Sequence, residues 1–304
     1  MNPLEIVKNR PLAPCTTLKI GGPAEFFCEP GSVEELKGGL RFARAKNLNA
    51  VWFGGGSNVL IHDRGLRGLV IRLSRRFSEI CVEQHEIVAE AGCWLPSLMK
   101  FCCDKSVLDL SFCVGIPGTV GGAVYMNAGT KNGKVSDKVK WLDLMNPDTL
   151  EESRCSPEEM RFGYRSSMLQ ENKQIVTRVA FRREKGEGRL WWKEAKQYAH
   201  WRKERQPMGV RSAGCFFRNP PGLSAGELID RAGLKGMHVG DAAVSPVHAN
   251  FLVNRGHATS EDLFDLVKTV HKRVMEEYGV RLSLEVRLMG FSDEELAVFY
   301  NAVS

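Results

Sequence analysis

Four short segments of the chain carry residue types whose spacing suits ligand chemistry. In Phe53-Gly54-Gly55-Gly56-Ser57-Asn58-Val59-Leu60, three consecutive glycines follow an apolar run. They let the main chain turn tightly and bare its N–H groups. With the Ser57 hydroxyl, those groups can form a nest for a diphosphate, although a plain tight turn needs no more than the same residues. No Gly-Lys-Ser/Thr follows, and Val59-Leu60-Ile61 reads as strand, so neither a Walker loop nor a dinucleotide fingerprint is present. The second segment, Gly115 to Gly129, holds Gly115, Pro117, Gly118, Gly121 and Gly122, a poor composition for helix or strand. Its main chain can lie directly against a flat or phosphorylated ligand. Apolar residues between the glycines favour a buried loop over a mobile one, and a buried loop needs partners for its backbone groups.

The third segment, Phe162-Gly163-Tyr164-Arg165-Ser166-Ser167, offers a guanidinium whose planar fork suits a carboxylate or a diphosphate. A salt-bridged surface turn is the plainer reading. In the fourth, Arg211 to Pro220, small residues lead to Cys215. That thiol is either packed or, through Gly214, open to a ligand. One further carboxylate, Glu285, falls between cations on the polar face of a C-terminal strand.

These groups need elements to hold them. Ser32 with Glu35 forms a capping box ahead of Leu36, Leu40 and Ala43. Ser156-Pro157-Glu158-Glu159 repeats the pattern with proline at the first helical position. Ser224 with Glu227 opens a short helix that Gly233 can end. Thr259 with Asp262 opens a long one carrying Leu263, Leu266, Val267, Val270, Val274 and Tyr278 at helical spacing, closed by Gly279. Ala50 to Phe53 and Leu69 to Ile71 read as buried strands. Ile80 to Val82 and Ile87 to Ala91 read as a hairpin pair, and Ile175 to Val179 alternates. Leu282, Leu284, Val286 and Leu288 predict a strand with one apolar face, opposite Arg281, Ser283, Glu285 and Arg287. The charged run Arg182 to Gly188 reads as a linker or exposed turn, with a domain boundary between it and Gln206-Pro207.

The 304 residues predict about two domains. A hydrophobic share of 43% with 26% charged residues excludes wholesale disorder. The formal charge of +6 is mixed along the chain and includes no basic arm, so nucleic acid is not an expected partner. No apolar run is long enough to span a membrane, and the N-terminus lacks the apolar core of a secretory signal. Nine cysteines, an odd number without Cys-x-x-Cys, argue against disulfides and a zinc ribbon and for reducing cytosol. Most are expected to be small core residues, the vicinal Cys102-Cys103 among them. No histidine spacing suggests a catalytic metal, and His248 is expected to cap or pack.

Taken in order, TTLKIGGPAEFF, FGGGSNVL, GIPGTVGGAVYMNAG, FGYRSS, SAGCFFRNP and LEVRLMG resemble the UDP-N-acetylenolpyruvoylglucosamine reductase family. The resemblance runs from about Thr16 to Gly290, and the lack of an extra loop after FGYRSS is similar to the shorter, type II members. It implies an α+β chain: an FAD-binding domain of the vanillyl-alcohol-oxidase type (roughly 15–183) in lobes 1–73 and 74–190, and a C-terminal α+β substrate-binding domain, 200–304. It implies that Gly54, Gly55, Gly56, Ser57, Asn58, Val59 and Leu60 hold the diphosphate of non-covalent FAD. Gly115, Pro117, Gly118, Thr119, Gly121, Gly122, Ala123, Asn127 and Ala128 would line the rest of the flavin nucleotide.

The implied reaction passes hydride from NADPH through FAD to the enolpyruvyl alkene of a UDP-sugar, forming UDP-N-acetylmuramate for peptidoglycan. Arg165 then corresponds to the cation that stabilises charge building on the substrate carboxylate. Glu285 corresponds to the family's catalytic glutamate. Cys215 stands where the family commonly has a serine proton donor, and a thiol is the stronger acid of the two. Tyr164, Arg205 and Asn219 are candidates for gripping the substrate. A monomer is expected. Two other readings remain, a flavin oxidase of a sugar or alcohol and a flavin-binding regulator without turnover. The first lacks a His or Cys set for covalent flavin attachment, and the intact Arg165, Cys215 and Glu285 speak against the second.

Overall fold

A computed structural model describes residues 4–300. The chain forms two compact units. One comprises 4–7, 26–55 and 68–201; the other comprises 8–25, 56–67 and 202–300. Seven α-helices lie among the described residues: α1 (Val33–Ala45), α2 (Leu95–Lys105), α3 (Val120–Tyr125), α4 (Gly188–Arg205), α5 (Ala225–Arg231), α6 (Ser260–Tyr278) and α7 (Asp293–Tyr300).

In the first unit an antiparallel five-stranded sheet runs in the order Glu152–Cys155, Val139–Met145, Ile175–Arg182, Glu86–Glu90, Ile80–Val82. The expected hairpin is therefore present, with Ile80 opposite Ala89 and Val82 opposite Ile87. The sheet, α2 and α3 enclose a core of Ile87, Ala89, Leu98, Cys102, Val120, Val124, Val179 and Phe181. A second core packs Leu36, Leu40 and Ala43 of α1 on Leu69 and Ile71. There Ala50–Trp52 pairs in parallel with the strand Leu66–Ile71, and 50–52 is half-buried where a buried strand was expected.

In the second unit the antiparallel order is Arg211–Cys215, Phe251–Asn254, Ala242–Val244, His238–Val239. Buried faces of α5 and α6 cover this sheet through Leu228, Ile229, Leu263, Leu266, Val267, Val270 and Val274. A parallel pair joins Arg287–Met289 to Val59–Ile61.

The caps explain most helix starts. Ser32 Oγ accepts the Glu35 N–H at 3.2 Å, while the Glu35 carboxylate turns to the Gly31 N–H at 2.7 Å. Thr259 and Asp262 form the full reciprocal box, and Gly279 ends α6 at φ +65°. Ser224 caps α5, and Gly233 follows it at φ +69°.

Four expectations need correction. Ser156 and Glu159 make both capping-box bonds, yet only turns follow, because Arg161 at φ +45° takes the chain out of helix after one turn. The strand expected over 282–288 is a ladder only at Arg287–Met289. Before it, main-chain bonds to 216–218 replace the ladder, with Glu285 donating to Phe216 and Arg218 donating to Ser283, both at 2.8 Å. The glycine-rich stretch is not all loop, since α3 forms inside it. Finally, the linker expected over 182–188 is confined to 183–187, since Arg182 ends the strand before it and the buried Gly188 begins α4.

His271 of α6 is 6% exposed, and its Nδ1 lies 3.0 Å from the Leu282 carbonyl, which can only accept. Burial holds its pKa below the ordinary histidine value. The unfolded chain therefore takes up the proton first, and stability held at neutral pH is lost as pH falls below about 6.5. Thermal melts at pH 7.5 and 5.0 should show a smaller acid-side loss in His271→Asn than in the wild type; equal losses would contradict this.

Candidate active site

In the first unit the two glycine segments meet. Thr119 caps α3 by accepting the Gly122 N–H at 3.2 Å. The start of α3 is fixed by the Val120 N–H on the Cys93 carbonyl and the Gly121 N–H on the Ala91 carbonyl, each 2.8 Å. Gly121 permits that approach, since a Cβ there would come 3.0 Å from the Ala91 Cβ. A Cβ on Gly54 would lie 2.7 Å from Thr119 Oγ1. One on Gly55 would lie 2.6 Å from the Trp94 ring and 2.8 Å from the Gly118 Cα. Residues 54 and 55 are thus held bare against Gly118, Thr119 and Gly122, and neither position has room for a side chain. Bare, half-buried main chain of the kind found at Gly54 and Gly55 can offer N–H groups to an anionic nucleotide. Gly115 and Gly118 adopt φ +73° and +121°, and Gly115 and Pro117 are exposed beside this place. Ala123 is buried and Ala128 half-buried.

The loop of Arg165 is braced to the same segment. The buried Asn127 donates from Nδ2 to the Gly163 carbonyl at 2.9 Å and accepts the Ser136 N–H. Ser167 Oγ donates to the Tyr125 carbonyl at 2.8 Å. Gln170 Nε2 lies 3.0 Å from both the Tyr125 and the Arg165 carbonyls. Arg165 sits at φ +53°, unusual for a residue with a side chain, and its Nη1 donates to the Gly129 carbonyl at 3.0 Å. Tyr164 is 56% exposed, with its ring centroid 5.5 Å from the Arg165 guanidinium carbon.

In the second unit Gly56 is at φ +66°, and a Cβ there would strike the Cys15 carbonyl at 2.1 Å. Ser57 and Asn58 are half-buried. Asn58 brackets Glu285: its Nδ2 donates to the Glu285 carbonyl at 3.0 Å, and its own carbonyl accepts the Arg287 N–H at 3.1 Å. Val59 and Leu60 pair with Arg287 and Leu288, and the Leu60 side chain is fully buried in the core. The half-buried Cys215 ends its strand, and the next carbonyl, Phe216, accepts the Glu285 N–H. Thiol and carboxylate therefore come from neighbouring main chains. Gly214, at φ +81°, has open space where a Cβ would be, so a molecule can approach beside the thiol.

Two of the substrate candidates have partners close by in the chain. Asn219 Oδ1 accepts the Ala225 N–H at the start of α5. Arg205, at the end of α4, pairs with Glu204 at 2.8 Å. His248 accepts the Asn250 N–H, stacks edge-on to Phe251, and is kept neutral by burial, a structural role. Cys15, Cys28, Cys93, Cys102, Cys103, Cys113 and Cys155 are buried. Burial raises the Cys28 thiol to about 12, and those of Cys93, Cys103 and Cys155 to about 11, so they stay protonated and inert. Cys81 departs from the expected packing role: it is exposed at the edge strand Ile80–Val82, where the sheet ends. Among the described residues no group of three or more His, Cys, Asp or Glu is placed to hold a metal. Sequence reasoning missed Trp94, which follows no motif, and Gln170, whose side-chain amide acts only once the 162–167 loop has folded back.

These features define an FAD-dependent oxidoreductase: residues 24–150 match the family described as FAD binding domain. Residues 206–289 match the C-terminal domain of UDP-N-acetylenolpyruvoylglucosamine reductase. The chain is 41% identical over 294 residues to the reductase of that name from Heliobacterium modesticaldum, covering 94% of this chain and 91% of the relative. It is 40% identical over 282 residues to that from Desulforamulus reducens, covering 93% of each. The crystal structure of the reductase from Thermus caldophilus superposes with a TM-score of 0.80 at 38% identity, over 94% of this chain and 98% of that one. The chain belongs to the UDP-N-acetylenolpyruvoylglucosamine reductase family, and its fold is the α+β one that membership implies.

Gln170→Leu keeps the volume and removes the donor shared by two carbonyls. It should lower stability by about 1–2 kcal/mol, read as a lower urea midpoint. An unchanged midpoint would show that the amide does not hold the loop.

Proposed function

We propose that the chain reduces UDP-N-acetylglucosamine enolpyruvate to UDP-N-acetylmuramate, a peptidoglycan precursor, with NADPH as co-substrate. The observation that carries this reading is the main-chain bond from the Glu285 N–H to the Phe216 carbonyl, which sets Cys215 and Glu285 on adjoining main chains, beside the open space at Gly214. An alkene bearing a carboxylate needs a proton donor and polar groups that steady developing charge, and these are residues of that kind.

The main chain of Gly54, Gly55, Gly118 and Thr119 would hold the FAD. Bound FAD supplies the hydride relay between NADPH and the alkene. Arg165, held in place through its bond to Gly129, stabilises the charge that grows on the substrate carboxylate. Cys215 delivers the proton to the neighbouring carbon, and a half-buried thiol, which can donate a hydrogen, suits that task. Glu285 acts with Arg165 in polarising the carboxylate or in managing the proton. Tyr164, Arg205 and Asn219 grip the substrate. The proposal includes FAD-binding lobes at 1–73 and 74–190 with a substrate-binding part at 200–304; the matched ranges 24–150 and 206–289 support a cofactor part followed by a substrate part, while 8–25 and 56–67 group with 202–300 in the second compact unit. It also includes a cytoplasmic monomer; among the described residues no helix is long and apolar enough to cross a membrane.

The test is a colour cycle without oxygen. The purified protein should be yellow, NADPH should bleach it, and UDP-N-acetylglucosamine enolpyruvate should restore the colour. A protein that bleaches but is not recoloured by this substrate would overturn the substrate assignment.

A further inference from the structure

We propose that Trp94 is an FAD-contacting residue, an aromatic wall at the junction of the two glycine segments; this rests on the FAD site proposed above. The placement is fixed from the backbone outward. Trp94 is the residue that caps the start of α2, at φ −70° and ψ 124°. Its main chain bridges to Thr119, and the next N–H, of Leu95, donates to the Gly118 carbonyl at 2.9 Å. Leu95 is 1% exposed, and a proline lies in the first turn of the helix. The Cα–Cβ direction of Trp94 is therefore set by the same Gly118-Thr119 unit that lies against Gly54 and Gly55.

The side chain then covers the bare turn. Its Cζ3 and Cη2 come within 2.6 and 3.1 Å of where a Cβ on Gly55 would be. The glycine at 55 makes room for the six-membered ring of the indole as well as for the turn. Yet the residue is left 41% exposed. A large apolar side chain anchored this firmly and left open is placed to be covered by something else. Its indole N–H, like those of Trp52 and Trp191 and unlike those of Trp141 and Trp192, donates to no group among the described residues, so it is open to an acceptor. An N–H that can only donate matches an acceptor-rich ligand. An anionic nucleotide with a flat ring satisfies both the apolar face and the donor.

The experiment is rebinding of FAD to flavin-stripped protein, followed by flavin fluorescence, in the wild type, Trp94→Ala and Trp94→Phe. Trp94→Ala should raise the Kd for FAD tenfold or more. Trp94→Phe, which keeps a ring without the donor, should raise it two- to fivefold. The tryptophan emission present in wild type and missing from Trp94→Phe should be quenched when FAD binds. Far-UV circular dichroism checks that both variants fold. A Kd for Trp94→Ala within twofold of wild type, or an unquenched Trp94 emission, would overturn the proposal while leaving the FAD site intact. A wild type that binds no FAD would overturn the FAD site itself, and this inference with it.

Discussion

The bare main chain at Gly54-Gly55 is the constraint on which the proposed cofactor site depends. Three groups take the space that side chains would need there: the Thr119 hydroxyl, the Trp94 ring and the Gly118 Cα. Each has a second task. Thr119 caps α3, Trp94 starts α2, and Gly118 ties to Leu95. A Cβ at Gly54 would therefore press on the cap of α3, and one at Gly55 on the start of α2, besides disturbing the turn. The close approach and the bareness of the main chain have the same cause, so the surface that could receive an anion is also the packing contact.

From that contact the order passes along one segment to the proposed cation. Ser167 and Gln170 donate to the Tyr125 carbonyl and Asn127 donates to the Gly163 carbonyl, and together they draw the 162–167 loop onto the end of α3. Arg165 can then sit at φ +53° with its guanidinium on the Gly129 carbonyl. A lone arginine on a free loop would lose side-chain entropy on gripping a ligand; this one is already restrained. In the second unit Asn58 plays a comparable part for Glu285, holding the main chain on both sides of it.

The sequence read well wherever a local pattern decided the outcome. The caps at Ser32, Ser224 and Thr259 and the hairpin of 80–90 needed only spacing and residue type. It failed where a partner distant in the chain decided. Leu282 to Val286 has strand alternation, but its hydrogen bonds go to 216–218. Gly121 and Gly122 looked like loop, yet Thr119 and the carbonyls of 91 and 93 make them the start of α3. The motifs marked the candidate site, whereas the groups that brace it, Gln170 above all, carry no local signature. Asn127 was singled out for the cofactor, and the structure gives its side chain a bracing role. Leu60 likewise offers the site only main chain, its side chain being in the core.

Cys215 is where the chemistry is most specific to this chain, since the family resemblance places a serine there. The central claim is that this thiol supplies the proton to the substrate and has no part in accepting hydride from NADPH. Rapid mixing without oxygen separates the two steps in Cys215→Ala. The account predicts flavin reduction by NADPH within about twofold of wild type, and reoxidation by UDP-N-acetylglucosamine enolpyruvate slowed 10²-fold or more, in line with losing a general acid, with Cys215→Ser restoring much of the rate. Reoxidation of Cys215→Ala at the wild-type rate would contradict it.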